Sequence, residues 1–582
     1  MTSWVMKEQA RARLAREIVL PGGGFRGPAG IRACILYPNT YRVGMSNLGF
    51  QTIHAILNAT PGLSCERAFL PDPPGRAGHG KARDGIISLE TQTPLAEFDL
   101  IGVSVSYEMD YPNVTRALLE AGIPPLARDR DERHPLVLAG GPCITFNPEP
   151  LAEFVDLCAI GEGEEIVPGI AAVLRDVSMA RGASRAELLA ALAEQPGVYV
   201  PSLYEPEYTP DGSFAGPSPQ AGAPERIERQ WVRELDRYPC ASLILTPETE
   251  FGDLFCIEIS RGCGRGCRYC AAGYITRPPR IRSRARLLEG VRAALPHRRK
   301  IGLVSPAISD YPDLPGLLND LAEMGAEVSL SSLRADTLLS SPTLALAGSG
   351  ESAITIAPEA GSQRLRFALN KSLTDEEIYA AVENALAAGI HKVKLYLMLG
   401  LPTETEADID AAVEMCQRIA SYPGIRQVTV SANPFVPKPG TPFQWCAMQS
   451  EAVLSARRKR LHTGLKTHKK LSLGGESPRE AIIQGALSRG DRRLAPVLLS
   501  VAGGQSWNAA FREAGIDPAA FACHEIEPGA PLPWDHLHLG AGAECLKREW
   551  SIAQSAATHP RGGLTPACQP GACRRCEACS NA

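Results

Sequence analysis

The sequence lacks any run approaching the roughly 20 apolar residues that a membrane-spanning helix requires. It also lacks an apolar leader, because Lys7, Glu8, Arg11 and Arg13 occupy the stretch a secretory signal would use. Neither sign of charge is in excess: 60 Lys and Arg stand against 64 Asp and Glu, a formal charge of −4, which predicts no overall attraction to nucleic acid or membrane. No internal repeat is evident. These absences predict a cytoplasmic globular protein with no membrane partner. In a reducing compartment the 17 cysteines do not read as a disulfide framework, so clusters among them are read as metal ligands or catalytic thiols. Two clusters stand out, at 263–270 and 568–579.

A chain of 582 residues is too long for one hydrophobic core and divides into roughly three or four units. Residues 1–30 form a leading tail with a short helix, broken at Pro21-Gly22-Gly23-Gly24. Apolar strand runs then alternate with amphipathic helices: 33–37 before 47–58, 100–105 before 112–121, 136–139 before 148–155, and 157–160 before 164–175. That alternation predicts a doubly wound, Rossmann-like α/β domain over 31–200. Residues 201–245, rich in Pro and Gly, read as a hairpin linker. A second alternating set, with strands at 254–258, 301–304, 327–330, 353–356, 393–397 and 427–432, predicts a partial (β/α)6 barrel over 246–445. Residues 446–582 read as a separate, mostly helical extension with a Cys-rich tail.

The loop Cys263-Gly264-Arg265-Gly266-Cys267-Arg268-Tyr269-Cys270 directly follows the first strand of that second set, where barrels carry their active sites. Its glycines let the backbone fold tightly enough to aim three thiolates at one point. Three ligands suit a four-iron cube with one iron left for a small molecule; a zinc knuckle would need a fourth ligand from elsewhere. The C-x3-C-x2-C spacing, with an aromatic before the last Cys, resembles the signature of the radical S-adenosylmethionine (SAM) superfamily. The resemblance covers roughly residues 250–440. It implies a [4Fe–4S] cluster on Cys263, Cys267 and Cys270, SAM chelated to the free iron, and a 5′-deoxyadenosyl radical formed by one-electron cleavage. Glu359, Gly400 with Pro402, and Arg334 follow later strands and are candidate SAM contacts by the same resemblance. Each is equally readable as a loop or turn residue.

Three loops mark the first domain: Asn39-x-Tyr41-x-x-Gly44, Ser104-Val105-Ser106 and Gly140-Gly141-Pro142. Their order resembles the Asp-x-His-x-x-Gly, Ser-x-Leu, Gly-Gly series of cobalamin-binding domains, and Gly161-Glu162-Gly163-Glu164 resembles a turn found where such domains precede radical SAM domains. The chain thus resembles the cobalamin-binding-domain radical SAM proteins, in a branch with a Cys-rich C-terminal tail. The resemblance implies bound cobalamin, with Asn39, Tyr41, Gly44, Ser104, Ser106, Gly140 and Gly141 at its tail. Tyr41 departs from the series, since a histidine there would ligate cobalt. A domain that merely docks on the barrel is the alternative.

Cys568, Cys573, Cys576 and Cys579 offer four thiolates for a second iron–sulfur cluster or for zinc, or form a metal-free tail. Asp535 and His536 are candidates for acid–base work, or part of a turn anchored by Trp534. Arg457, Arg458, Lys459 and Arg460, with Lys466, Lys469, Lys470, Arg489, Arg492 and Arg493, read as a phosphate-facing patch or as a solvated helix face. The expected activity is methyl transfer from methylcobalamin to an unactivated carbon of a small-molecule or RNA substrate, with a reductant such as flavodoxin or ferredoxin. Two rivals stand: a methylthiotransferase-like enzyme, suggested by residues 434–440, and a non-enzymatic iron–sulfur, RNA-binding protein.

Overall fold

The computed structural model describes residues 3–72, 85–179, 183–210, 212, 214–220, 222–330, 353–556, 563–569, 573 and 575–579. In the first domain, strands β1 (Ile31–Tyr37), β2 (Leu63–Phe69), β3 (Leu100–Ser104), β4 (Leu136–Gly140), β5 (Leu157–Ala159) and β6 (Val198–Tyr199) form one sheet in the order β2-β1-β3-β4-β5-β6. All neighbours are parallel except β6, which runs against β5. The order reverses between β1 and β3, and ligands of such sheets bind beyond the strand ends at that switch point. Helices α1 (Leu48–Ala59), α2 (Tyr111–Glu120) and α3 (Gly163–Met179) connect the strands. Where the periodicity suggests a helix over 148–155, Pro148 and Pro150 leave only a 3-10 turn at Glu149–Leu151.

The sequence pattern passes over β2 because its centre is Glu66-Arg67. Both are buried and both are matched. Arg67 bonds Glu17 at 2.7 Å and Glu90 at 2.6 Å, while Glu66 accepts from the Thr91 amide at 3.0 Å.

The barrel region contributes two parallel sheets. One contains β7 (Phe255–Glu258), β8 (Lys300–Val304) and β9 (Glu327–Leu330); the other contains β10 (Ala353–Glu359), β11 (Lys392–Leu399), β12 (Gln427–Pro434) and β13 (Leu471–Gly474). The six strands expected are present, and β13 adds a seventh, paired with β12, so the sheet runs past residue 445. The basic helix Glu451–Leu465 is the connection into β13. Its cations are largely spoken for: Arg457 bonds Glu404 at 2.8 Å and Arg460 bonds Asp410 at 2.6 Å. Farther on, Arg492 bonds Glu149 at 2.8 Å and Arg493 bonds Asp491 at 2.6 Å.

The C-terminal extension is helical, as the sequence predicts, but it is not separate. Leu494, Val497, Leu498 and Phe511 share one buried core with Tyr111, Val114 and Leu118 of the first domain. The helix Ala495–Ala502 is apolar almost throughout, and such a helix must be enclosed. The strand Leu537–His538 pairs with Ile227–Glu228 of the linker, and His536 lies buried against Tyr199 and Tyr204. Burial lowers His536 to about 3, which keeps it neutral and suits the anchoring reading of the Trp534 turn. Trp534 is buried and donates to Gln444 at 2.9 Å.

Candidate active site

Cys263, Cys267 and Cys270 lie between β7 and the helix Ala272–Ile275 and are partly exposed. The loop is held from several sides. Gly262 has φ +81°, and a Cβ there would lie 2.4 Å from the Thr276 carbonyl, so glycine is required. Arg268 is fully buried; it donates to the Ala368 carbonyl at 2.8 Å and to Glu549 at 2.9 Å. Asn370 Nδ2 donates to the carbonyls of Arg265 at 3.1 Å and Gly266 at 3.0 Å. Burial pushes the Cys270 thiol up to about 12, helped by the charges of Cys267 and Cys263. Three cysteine sulfurs on one tight loop are a donor set that fits an iron–sulfur cluster.

Glu359 ends β10 at φ +69°, a conformation that strains a residue with a side chain. Its carboxylate meets Lys371 at 3.1 Å and hydrogen-bonds Tyr269, the aromatic residue of the cluster loop. The strand-end acid and the cysteine loop are therefore brought together. Gly400 and Pro402 follow β11: Gly400, at φ +81°, donates its N–H to Glu404 at 2.7 Å, and Leu401 between them belongs to a buried cluster against which Tyr269 packs. Arg334 lies outside the described residues.

Burial raises Glu404 to about 7, against the opposing pull of the Gly400 amide and Arg457. A carboxyl with a higher pKa in the fold than in the unfolded chain costs stability as pH rises from about 4.5 to about 7, and adds no slope above that. Glu404→Gln removes the slope. The expected result is a urea midpoint that falls less between pH 5 and 7.5 in the variant than in the parent; equal falls overturn the assignment.

A cavity of about 590 Å3 lies between the strand ends of the first sheet and the barrel. Residues 46–49 after β1, Ser104 and Ser106 after β3, Gly140 and Gly141 after β4, and Gly161 to Glu164 after β5 line one side; Cys256, Glu258, Arg261, Ile275 and Thr276 line the other. Gly141 has φ +104°, and a Cβ there would lie 2.5 Å from the Val105 carbonyl. Asn47 caps α1 through Phe50 N at 2.9 Å and donates to Ser106 at 3.1 Å. Four of the seven first-domain residues expected at a ligand are thus here. The other three are packed away from it: Asn39 donates to Asp110 at 2.9 Å, Tyr41 is fully buried with its hydroxyl donating to Glu17 at 2.6 Å, and Gly44 lies against Phe69 and Tyr37. A larger cavity of about 1370 Å3 lies elsewhere, beside Arg489, Arg492 and Phe521 of the extension.

The two halves are joined by buried charges that sequence reasoning leaves unassigned. Glu162 bonds Arg280 at 2.7 Å and Arg261 at 2.9 Å; Glu164 bonds Arg261 at 2.7 Å; Glu258 bonds Arg261 at 2.8 Å and Arg282 at 2.9 Å. Arg261 stands two residues before Cys263. The sequence singles out the Gly161-Glu162-Gly163-Glu164 turn but not the arginines that its carboxylates meet.

Fold and site together define a two-part α/β protein whose second part presents a three-cysteine loop at the end of a strand. The family model "Radical SAM proteins, N-terminal" matches residues 49–201, and "Radical SAM superfamily" matches residues 257–416. The chain is 31% identical over 479 residues to the uncharacterized protein MJ0966 of Methanocaldococcus jannaschii, covering 80% of this chain and 90% of that one. The chain belongs to the radical SAM superfamily, and membership implies a [4Fe–4S] cluster and SAM. Among solved structures it is similar to the cobalamin-dependent S-adenosylmethionine radical enzyme OxsB with aqua-cobalamin and S-adenosylmethionine bound, at 13% identity and TM-score 0.46 over 85% of this chain and 64% of that one. Methylornithine synthase PylB matches at 13% identity and TM-score 0.27 over 41% of this chain and 69% of that one. Among the described residues no helix is long and apolar enough to cross a membrane.

Proposed function

We propose that this radical SAM enzyme is cobalamin-dependent and methylates an unactivated carbon, holding the nucleotide tail of the corrin in the interdomain cavity. The observation that carries the reading is the cavity at the switch point of the first sheet, facing the barrel strand that leads into the cysteine loop. When bound, the cluster with SAM would supply an adenosyl radical, and the corrin a methyl group.

The chain's own residues bind and orient. Ser104, Ser106 and Thr145 offer hydroxyls, and the glycines at 140 and 141 admit a ligand close to the backbone. Tyr41, committed to Glu17, offers cobalt no ligand. Cys263, Cys267 and Cys270 hold the cluster, while Glu359 and Lys371 orient polar groups beside it. The reading places the enzyme in the cytosol, with flavodoxin or ferredoxin as electron donor and a small molecule or RNA as substrate, and it makes the four tail cysteines ligands of a second iron–sulfur cluster or of zinc.

The test is an ultraviolet–visible spectrum with iron and cobalt counts on full-length protein purified anaerobically with hydroxocobalamin present. Corrin absorbance and about one cobalt per chain are expected in the parent, with cobalt lost and iron kept in Gly141→Ala, whose new Cβ must displace backbone. Iron without cobalt in the parent overturns the cobalamin reading.

A further inference from the structure

The Cys-rich tail does not hang free. The amide of Cys568 donates to the carbonyl of Gly264, inside the cluster loop, at 2.7 Å, and a Cβ on Gly264 would lie 3.0 Å from the Cys568 carbonyl. Just before it, the Thr565 amide donates to Asn370 Oδ1 at 2.8 Å, and Asn370 is the residue whose amide group grips the loop carbonyls of Arg265 and Gly266. Thr565 Oγ1 donates to Glu549 at 2.8 Å, the same carboxylate that holds Arg268. One set of polar groups thus binds both the tail and the loop.

The thiols converge at that junction. Cys568, Cys573 and Cys576 line one small crevice together with Gly264 and Gly266 of the cluster loop. Cys576 is buried, and the Gly542 amide donates to its carbonyl at 3.2 Å. Arg277, 6% exposed, lies beside the side chains of Cys576 and Cys568. Arg548 reaches the Cys545 sulfur at 3.6 Å and the Arg575 carbonyl at 3.0 Å. The crevice between tail and loop is about 30 Å3. Among the described residues no three His, Cys, Asp or Glu side chains stand ready-made to hold a metal ion. Gathering such thiols on a metal couples binding to local ordering.

We propose that Cys568, Cys573, Cys576 and Cys579 form a thiolate metal centre built directly on the radical-cluster loop, so that loading the second site fastens the loop of the first. The fastening rests on Cys263, Cys267 and Cys270 being the cluster ligands; metal binding by the tail does not. Cys545, from the helix Ala543–Ala556, neighbours the centre without ligating it.

The experiment counts iron, sulfide and zinc on full-length chains produced anaerobically in medium supplied with both metals. In the triple variant C263A/C267A/C270A, a residual centre of about four iron atoms or about one zinc ion per chain is expected, iron identifying a second cluster and zinc a knuckle. Adding C573S/C576S removes it, whereas adding C545S does not; should the double substitution prevent folding, C579S replaces it. Separately, in chains that keep the first cluster, C573S/C576S raises amide exchange of residues 262–270 at least about tenfold, the equivalent of about 1.4 kcal/mol. A triple variant without metal, residual metal that survives loss of the tail cysteines, or loss of metal in C545S overturns the proposal. Failure of the cluster assignment looks different: the triple substitution would leave the total iron unchanged.

Discussion

Replacing Cys263, Cys267 and Cys270 with alanine removes about four iron atoms per chain and reduces 5′-deoxyadenosine formation from SAM, under dithionite, to the uncatalysed background. Gly262 and Gly266 take left-handed conformations, Arg268 and Asn370 hold the backbone on either side of Cys267, and the Cys270 amide donates to the Cys267 carbonyl at 3.1 Å. None of these supports is removed by the substitution, so folding should survive and the loss should be chemical. Circular dichroism with iron analysis separates the two effects. Unchanged iron and undiminished deoxyadenosine in a folded variant would remove the basis of the assignment.

Glu162→Ala has the second large effect, and it acts on the joint between the two halves. Glu162 is buried, and although burial alone would raise its carboxyl, Arg280 and Arg261 hold it below the usual range. It also accepts from the Val232 amide at 2.9 Å. Arg280 depends on it most, since Arg261 keeps Glu164 and Glu258. Removing one partner of a buried ion pair strands the other, at about 3–5 kcal/mol. A depressed carboxylate contributes its stability above about pH 4.5 and loses it on acidification, so parent and variant should converge in denaturant midpoint as pH falls from 5 towards 3. A midpoint within experimental error of the parent at pH 7 would show that the network does not hold the domains together. The glycine beside it is equally committed: Gly161 has φ +118°, and a Cβ there would lie 2.1 Å from the Gln230 carbonyl.

Much of the architecture was legible because strands with a buried face announce themselves as short apolar runs or alternations. The runs at 100–105, 301–304 and 393–397 correspond to strands at Leu100–Ser104, Lys300–Val304 and Lys392–Leu399. What escaped was whatever carries charge into the interior. The strand Leu63–Phe69 was invisible because Glu66 and Arg67 are satisfied by Glu17, Glu90 and Thr91, residues distant in sequence. The basic helix at Glu451–Leu465 read as a phosphate-facing patch or a solvated helix face, and the structure pairs Arg457 and Arg460 with acids of the preceding barrel helix and turn.

The candidate site divides in the same way. Ser104, Ser106, Gly140 and Gly141 follow strands in a series that can be counted along the chain, and they meet at one cavity. Asn39, Tyr41 and Gly44 belong to the same series yet lie off the cavity: Tyr41 and Gly44 pack against Phe69, Tyr41 bonds Glu17, and half-buried Asn39 bonds Asp110. No periodicity encodes such a choice.

By itself the sequence determined the three-cysteine loop, its place after a barrel strand and the α/β character of both halves, since these depend on spacing and hydrophobic period over short stretches. Only the tertiary structure decided that the extension shares its core with the first domain, that Glu162 and Arg261 join the halves, and that the tail lies on the cluster loop. These are contacts between residues some 99 to more than 300 positions apart, and their energies come from burial and charge pairing that arise only when the chain has closed upon itself.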